Sequence, residues 1–334
     1  MPRQLPRRTA LTGLGAFLLT GCATTGHRLP APAPGTPAAP SSPNGTDSAA
    51  PSPAAVPSTT VTAATGPVLV PGAPQRVIAL DTAELDSAMT LGLTPVGATR
   101  VPADPEFPDY WPASRFSVTN YVGPIGAPDP QLIAALRPDV ILGNQTRDGA
   151  HYEELSRLAP TVLTQTTGYP WKADFQLHAQ ALGRTEQAAA VVESYADHLT
   201  QATAAIGSVG AAGKRISLVR FVEGSPTIRL YARQNFLGTV LADLQLPRPD
   251  SQNADTFAVE IPPDQIAKAD ADYLFYATYG AAQTAATLTT PAWHALSAVQ
   301  NHRAFPVSDQ LWYQGIGYTG AHYVIAELQR FLGA

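Results

Sequence analysis

Short apolar runs alternate with segments of helical spacing from about residue 74 to the C-terminus. The candidate strands are runs of three to six mostly apolar residues, and they lie at 76–80, 95–98, 139–142, 161–163, 216–221, 228–231, 273–276 and 304–307. Apolar residues three or four positions apart predict helices between most of these strands. The uninterrupted apolar run at 139–142 is typical of a parallel sheet that is covered on both faces.

The longest helical pattern lies in the middle of this alternation. Residues 175–182 and 185–206 both have helical spacing, and Gly183 separates them, so two joined helices are expected. The simplest architecture is an α/β fold with two Rossmann-like lobes joined by one long helix, with a ligand cleft between the lobes. We expect the N-terminal lobe at 67–172, the linking helices at 173–207 and the C-terminal lobe at 208–334.

The first 21 residues have the order of a secretory signal peptide. Arg3, Arg7 and Arg8 precede an apolar run at 11–19, which is too short to span a bilayer as a helix. The sequence Leu-Thr-Gly-Cys that ends at Cys22 resembles a bacterial lipobox, which implies cleavage before Cys22 and acylation of its thiol. A simple signal peptide with an incidental cysteine is the alternative. Sec and twin-arginine export both remain open.

Residues 22–66 are predicted to be a lipidated cysteine followed by a disordered tether. Alanine, proline, serine, threonine and glycine dominate this stretch, with no aromatic residue and almost no charge. Such a composition cannot bury enough apolar surface to offset the entropy lost on ordering. We therefore expect a globular body that is attached to the lipid bilayer through Cys22, on the extracytoplasmic face of the cell membrane (periplasm or cell-wall space).

Composition and charge exclude several classes of protein. The 334 residues include one cysteine, so an internal disulfide or a cysteine-based metal cluster is excluded. The formal net charge is −5, and loss of the signal peptide leaves 18 basic residues against 26 acids, or about −8. This balance argues against a nucleic-acid partner. Only 14% of the residues are charged, well below the roughly 25% of an average soluble domain, so a local cluster of charge is informative.

Four stretches of the body together resemble a known family. They include PQRVIALDTAELDSAMTLGLTPVGATR at 74–100 and YVGPIGAPDPQLIAALRPDVILGNQ at 121–145, with further matches at 152–163 and 270–317. In these stretches the chain is similar to helix-linked bacterial solute-binding lipoproteins of the ferric-siderophore, cobalamin and haem type. The resemblance implies an ABC-transporter substrate-binding protein for iron transport, which captures a ferric siderophore and delivers it to a permease with a cytoplasmic ATPase.

Ligand-binding residues are expected where strands end, because ligands of open α/β sheets lie beyond the carboxyl ends of the strands. Guanidinium groups match anionic chelate oxygens, and aromatic rings cover apolar parts of a chelate. The candidates of these two types, together with one amide, are Arg100, Gln145, Trp171, Arg220, Arg233, Tyr279 and Trp312.

The resemblance also implies a carboxylate on the rim of each lobe that docks on arginines of the permease. Glu260 occupies this position in the second lobe. Gln131 occupies it in the first lobe, where the sequence departs from the family pattern. An amide can hydrogen-bond an arginine but supplies no charge attraction. Alternatives are therefore a haem-, cobalamin- or other ligand-binding protein of the same fold, or an envelope interaction protein no longer coupled to transport.

Enzymatic and metal chemistry find little support in the sequence. The seven histidines are scattered singly, and no set of metal ligands is evident, although Tyr276 or Tyr279 would be available as a haem ligand. The GxGxxG pattern at 315–320 lacks the downstream acid of a dinucleotide site, and no GxSxG motif occurs. We expect a monomer that is not an enzyme and has no cofactor, with iron entering only as part of a bound siderophore.

Overall fold

The computed structural model describes residues 57–104, 106–280 and 284–334. Two five-stranded sheets, one in each lobe, form the core of this part of the chain. The predicted α/β architecture with two lobes and a helical connection is confirmed. The predicted signal peptide, most of the predicted tether and Cys22 lie outside the described residues. Among the helices of the described ranges, none has the length and hydropathy needed to cross a membrane.

The N-terminal lobe is built on a parallel sheet with strand order β5-β4-β3-β6-β7. Its elements, including a preceding hairpin, are β1 (Ser58–Ala63), β2 (Gly66–Pro71), β3 (Val77–Ala79), α1 (Thr82–Thr90), β4 (Gly97–Arg100), β5 (Asn120–Pro124), α2 (Pro130–Ala135), β6 (Val140–Asn144), α3 (Gln145–Asp148), α4 (Tyr152–Leu158) and β7 (Thr161–Thr164). All residues of β3, β6 and β7 are buried, as expected for a parallel sheet between two helical layers.

Two helices connect the lobes: α5 (Trp171–Ala181) and α6 (Thr185–Ser208). The 24 residues of α6 give it a length of about 36 Å at 1.5 Å per residue. Gly183 lies between them with a φ of +62°. A side chain at this position would overlap the carbonyl of Gly72, so a glycine is required both by the backbone conformation and by the close approach.

The C-terminal lobe has a mixed sheet with strand order β10-β9-β8-β11-β12, in which β9 runs antiparallel to both neighbours. Its elements are β8 (Ile216–Val222), β9 (Ile228–Tyr231), α7 (Phe236–Asp243), β10 (Ala258–Ile261), β11 (Tyr273–Tyr279), α8 (Thr284–Leu288), α9 (Pro291–His294), α10 (Ser297–Gln300), β12 (Ala304–Pro306), α11 (Asp309–Trp312) and α12 (Tyr318–Leu332). Helix α12 returns to pack against α6 and against α1 of the first lobe.

The predicted boundary between tether and body is wrong by about ten residues. Strands β1 and β2 form an antiparallel hairpin in which Val61, Ala63 and Val70 are buried. The amide of Ala64 donates to the carbonyl of Leu163 in β7, and β1 packs against α5. The few aliphatic residues of this segment alternate with polar ones, a period that favours a strand with one buried face.

Asp86, a carboxylate of the first lobe, accepts hydrogen bonds from the first turn of α12. Asp86 accepts the backbone amides of Thr319 (3.3 Å) and Gly320 (3.2 Å) and the hydroxyls of Thr90 and Tyr110. The first amides of a helix lack partners within the helix and carry its positive dipole end. Burial raises the pKa of Asp86 to about 7, although these hydrogen bonds oppose the rise.

Replacement of Asp86 by Asn should flatten the pH dependence of stability. A folded pKa near 7 and an unfolded value near 3.9 mean that the folded state binds more protons between these pH values. The contribution of this group is therefore greatest below about pH 4 and is lost as the pH rises through about 7. Denaturant unfolding at pH 5 and pH 8 should show wild type losing on the order of 2 kcal/mol more than the variant. The exposed Asp264→Asn change is the control, and wild-type-like slopes for both variants would contradict the prediction.

Candidate ligand-binding cleft

A cavity with about 580 Å³ of non-protein space, part of it open to solvent, lies between the two lobes. The first lobe lines it with Asp81, Thr82, Val101, Pro102, Ile125 and Arg147, and the second with Arg220, Val222, Arg229, Tyr279, Tyr313, Gln314 and Ile316. The first group follows strands β3, β4, β5 and β6 at their carboxyl ends. The cavity therefore occupies the position where open α/β sheets bind ligands.

Arg147 is the positively charged residue that the first lobe contributes to the cleft lining. Asn144 ends β6 and caps the short helix α3 by accepting the amide of Arg147. The Arg147 Nε atom lies 2.8 Å from Oδ2 of Asp81, a buried carboxylate that follows β3 and caps α1. The Arg147 side chain is 43% exposed, so part of its guanidinium faces the cleft and is available to an anion.

Arg220 forms a bidentate ion pair within the second lobe. Its Nε and Nη2 atoms lie 2.7 and 2.6 Å from the two carboxylate oxygens of Asp309, and Nη1 donates to the Tyr231 hydroxyl at 3.1 Å. The rings of Tyr279 and Tyr313 lie 5.0 and 5.4 Å from the guanidinium carbon. Carboxylate and rings together fix the orientation of this cation at the cleft surface.

Arg229 is the third guanidinium of the cleft. It faces Arg220 across the β8–β9 ladder, and its Nε atom donates to Oε1 of Glu260 at 2.8 Å. Arginine remains protonated at every physiological pH and forms a planar fork that matches carboxylates. Three guanidinium groups from both lobes thus converge on one cavity, an arrangement that suits a ligand with several anionic oxygens.

Buried acids beneath the cleft carry less negative charge than their number suggests. Both oxygens of Glu84 lack a hydrogen-bond partner among the described residues, and His178 Nε2 lies 3.9 Å away. Burial, together with the charges of Asp81 and Asp148, raises the pKa of Glu84 well above its usual value, and burial lowers the pKa of His178 to about 3. Burial also raises the pKa of Asp148 to about 6 and that of Asp174 to about 7. His178 is therefore neutral at pH 7.

A second chamber of about 430 Å³ adjoins the cleft and shares Arg147, Arg220, Tyr313 and Ile316 with it. Apolar and aromatic side chains form most of its remaining wall: Tyr231, Phe236, Leu237, Phe257 and Trp312. Cleft and chamber together offer charged and apolar surfaces side by side. Within the described ranges, no group of three or more His, Cys, Asp or Glu residues is arranged to hold a metal ion.

Residues 77–311 match the family model described as periplasmic binding protein. The chain belongs to the periplasmic binding protein family. The matched range covers both five-stranded sheets and the helices between them, and with them all of the cleft lining except Tyr313, Gln314 and Ile316.

Relatives of known name include siderophore- and iron-binding proteins. The "Probable siderophore-binding lipoprotein YfiY" of Bacillus subtilis is 28% identical over 277 residues, which cover 78% of this chain and 83% of the relative. The Fe(3+)-citrate-binding protein YfmC of the same organism is 27% identical and covers 74% and 77%, respectively. Among solved structures, Staphylococcus aureus SirA complexed with staphyloferrin B superposes with a TM-score of 0.73, at 25% identity, over 82% of this chain and 98% of that one.

Two of the seven predicted ligand residues, Arg220 and Tyr279, line the cleft of this family member. Arg100 lies instead in a neighbouring crevice, where its guanidinium carbon is 4.6 and 4.8 Å from the rings of Phe107 and Tyr121. Gln145 is the first residue of α3 and is exposed, but it does not line the cavity.

The remaining three residues that were predicted for the cleft, Trp171, Trp312 and Arg233, do not line it. Trp171 is buried in the core between the linking helices and α7, and its Nε1 donates to Thr239 Oγ1 at 2.7 Å. Trp312 stacks on Phe275, donates to Glu327 and lines the second chamber rather than the cleft itself. Arg233 lies in a separate groove of the second lobe. A position after a strand indicates the correct end of a sheet but not the direction of the side chain.

Both predicted docking residues are exposed. Glu260 lies on β10, the edge strand of the second sheet. Gln131 lies in the first turn of α2, where Asp129 caps the helix and accepts the Gln131 amide.

Sequence reasoning missed Arg229 as a cleft residue, and from the segment 144–147 that follows a predicted strand it selected Gln145 rather than Arg147. Arg147 follows the apolar run at 139–142, so the strand-end rule pointed to its neighbourhood. Arg229 lies inside a strand, and its signal is the alternation of Ile228, Arg229 and Leu230, in which every second side chain is polar.

Replacement of Arg220 by Met should destabilise the second lobe far more than the same change at Arg233. Both arginines form bidentate pairs with an aspartate, but the side chains of Arg220 and Asp309 are 12% and 10% exposed, against 44% and 73% for Arg233 and Asp255. Loss of one partner of a buried pair costs about 3–5 kcal/mol, whereas an exposed pair is worth at most about 1 kcal/mol. Denaturant unfolding at pH 7 measures both, and equal losses would contradict the assignment of the two environments.

Proposed function

We propose that the protein is the extracytoplasmic substrate-binding component of an ABC importer, and that it captures a ferric siderophore and delivers it to the permease. The observation that carries this proposal is the convergence of Arg147, Arg220 and Arg229 on one interlobe cleft in a periplasmic binding protein. Ferric chelates with carboxylate groups present anionic oxygens in the planar geometry that guanidinium groups recognise.

A relative named for ferric citrate supports a carboxylate-bearing chelate within this class. YfmC is named for ferric citrate, and SirA was solved with staphyloferrin B. The cleft agrees in its chemistry, because its cations come from both lobes while Trp171 and Trp312 belong to the core. The aromatic rings that line the cleft itself are therefore the phenols of Tyr279 and Tyr313, and neither indole ring is positioned there to cover a large flat ligand such as haem. We infer that the protein has no resident cofactor and no catalytic role, and that iron enters as part of the chelate.

Permease docking is proposed for the rims of the two lobes. Glu260 presents a carboxylate on the second lobe, and Gln131 presents an amide on the first. A cationic permease surface would therefore meet one charged contact and one neutral hydrogen-bonding contact. We propose that the protein works as a monomer, because one chain supplies both lobes of the cleft.

We propose further that Cys22 carries a lipid and holds the body at the outer face of the cell membrane. The lipobox-like sequence before Cys22 supports this location, and YfiY is named as a lipoprotein. A net charge of about −8 after removal of the signal peptide gives the body little attraction to an anionic membrane surface, so the lipid would provide the attachment.

Arg147→Gln should weaken the binding of ferric citrate and iron-loaded staphyloferrin B by about 10- to 100-fold, because a hydrogen bond to a charged group contributes about 1.5–3 kcal/mol. Isothermal titration calorimetry of the folded variants measures the change. Arg233→Gln is the matched control, since Arg233 lies in a groove outside the cleft, and its affinity should equal that of wild type.

Failure of wild type to bind either ferric citrate or iron-loaded staphyloferrin B would overturn the proposed ligand class. Binding of an iron-loaded triscatecholate or of haem, with a Soret band for haem, would then identify the alternative. Equal losses in the Arg147 and Arg233 variants would show that binding occurs outside the cleft.

Cys22→Ser should release the protein from the membrane fraction of expressing cells into the medium or the periplasm. The physical reason is that a serine hydroxyl does not replace the thiol that the lipid modifies, and the net negative charge of the remaining body gives it little attraction to an anionic membrane surface. Fractionation with immunoblotting measures the distribution. An unchanged membrane fraction for the variant would contradict a lipid anchor at Cys22.

A further inference from the structure

A row of charged side chains crosses the sheet of the C-terminal lobe. Arg220 on β8 stands directly opposite Arg229 on β9, and Arg229 stands directly opposite Glu260 on β10. Residues paired in this way share one face of a sheet, with Cβ atoms about 5 Å apart. Asp309 pairs with Arg220 at the inner end of this row, and Glu260 pairs with Arg229 at the outer end. From the depth of the cleft to the rim, the charges are therefore acidic, basic, basic and acidic.

The two arginines in the middle of the row repel each other. Like charges directly opposite on neighbouring strands are destabilising, and each guanidinium is compensated by an acid on its outer side. The ion pair between Arg220 and Asp309 has two hydrogen bonds, and both side chains are nearly buried. The compensation of Arg229 by Glu260 uses one hydrogen bond, and the two side chains are 33% and 42% exposed. The outer pair is therefore the more easily exchanged of the two.

Arg229 and Glu260 connect two different surfaces. Arg229 lines the cleft, whereas Glu260 is exposed on the edge strand of the sheet. Both carboxylate oxygens of Glu260 are engaged from β9 and the residues before it, Oε1 by Arg229 and Oε2 by the Thr227 hydroxyl at 2.5 Å. An anion that draws Arg229 into the cleft competes directly with Glu260 for the same guanidinium.

We propose that Arg229 couples occupancy of the cleft to the charge presented at the rim. An anionic ligand takes the Arg229 guanidinium and releases the Glu260 carboxylate, which becomes available to a cationic group of a docking partner. This inference rests on the proposed function, in that it requires an anionic ligand in the cleft and gives Glu260 an occupancy-dependent role in docking.

Thermodynamic linkage makes the coupling reciprocal. A partner cation that binds Glu260 leaves Arg229 free for the ligand, and by the same factor the ligand favours binding of the partner. The loaded protein therefore presents the more available carboxylate. Removal of the Glu260 charge should imitate the partner and tighten ligand binding, a sign opposite to that expected for an ordinary binding residue.

The experiment is a double-mutant cycle with ferric citrate as the probe and titration calorimetry as the measurement. Glu260→Gln should tighten binding by about two- to five-fold, the range of an exposed ion pair. In an Arg229→Gln background the same change should have no effect, because the shared guanidinium is absent. Glu223→Gln is the matched control for long-range charge, since Glu223 is an exposed acid at the end of β8 that lies outside the row.

Weaker or unchanged binding in the Glu260 variant would overturn the coupling, as would an equal gain in the Glu223 variant or in the Arg229→Gln background. Each of these results leaves the proposed function intact, because wild type still binds the probe. If wild type binds neither ferric citrate nor iron-loaded staphyloferrin B, the proposed ligand class and the coupling fall together.

Discussion

Guanidinium groups gathered at a cleft between two lobes repel one another and must be compensated by anions of the protein itself. Each cleft arginine has such a partner: Asp81 for Arg147, Asp309 for Arg220 and Glu260 for Arg229. The partners differ in burial and geometry, so they differ in how readily a ligand replaces them. The affinity of such a cleft is consequently a difference between two sets of ion pairs rather than the sum of new contacts.

The relative position of the lobes depends on elements that lie behind the cleft. Asp86 of α1 accepts the first amides of α12, and a side chain at Gly317 would overlap that carboxylate. Nearby, the rings of Trp171, Tyr195 and Tyr318 pack edge to face at centroid distances of 4.8–5.8 Å. These contacts join α5, α6 and α12 into one packed layer, so that movement of one lobe against the other must be absorbed by this layer or by the loops that border it.

Much of the fold was predictable from the sequence, because parallel strands are continuous apolar runs and the linking helices show clear spacing at 175–206. The hairpin at 58–71 was missed because small and polar residues dominate it and hide the alternation of Val61 and Ala63. Strand β10 escaped for a related reason, since it is short and lies at an edge, with Glu260 among its four residues. A composition poor in apolar residues indicates disorder only when the rest of the protein offers no surface on which those few residues can be buried. Here α5 and β7 offer such a surface to the hairpin.

The site was harder to predict because a strand end fixes where a backbone points, while packing decides where a side chain points. Trp171 and Trp312 each bury a large ring and satisfy their indole N–H within the core, which outweighs exposure to the cleft. Arg229, in contrast, was not predicted for the cleft but lines it. The register between β8 and β9 places Arg229 directly opposite Arg220, on the same face of the sheet. This register cannot be read from either segment alone. The charges that define a ligand site in such a sheet therefore follow from register, and register follows from pairing between segments that are distant in the sequence.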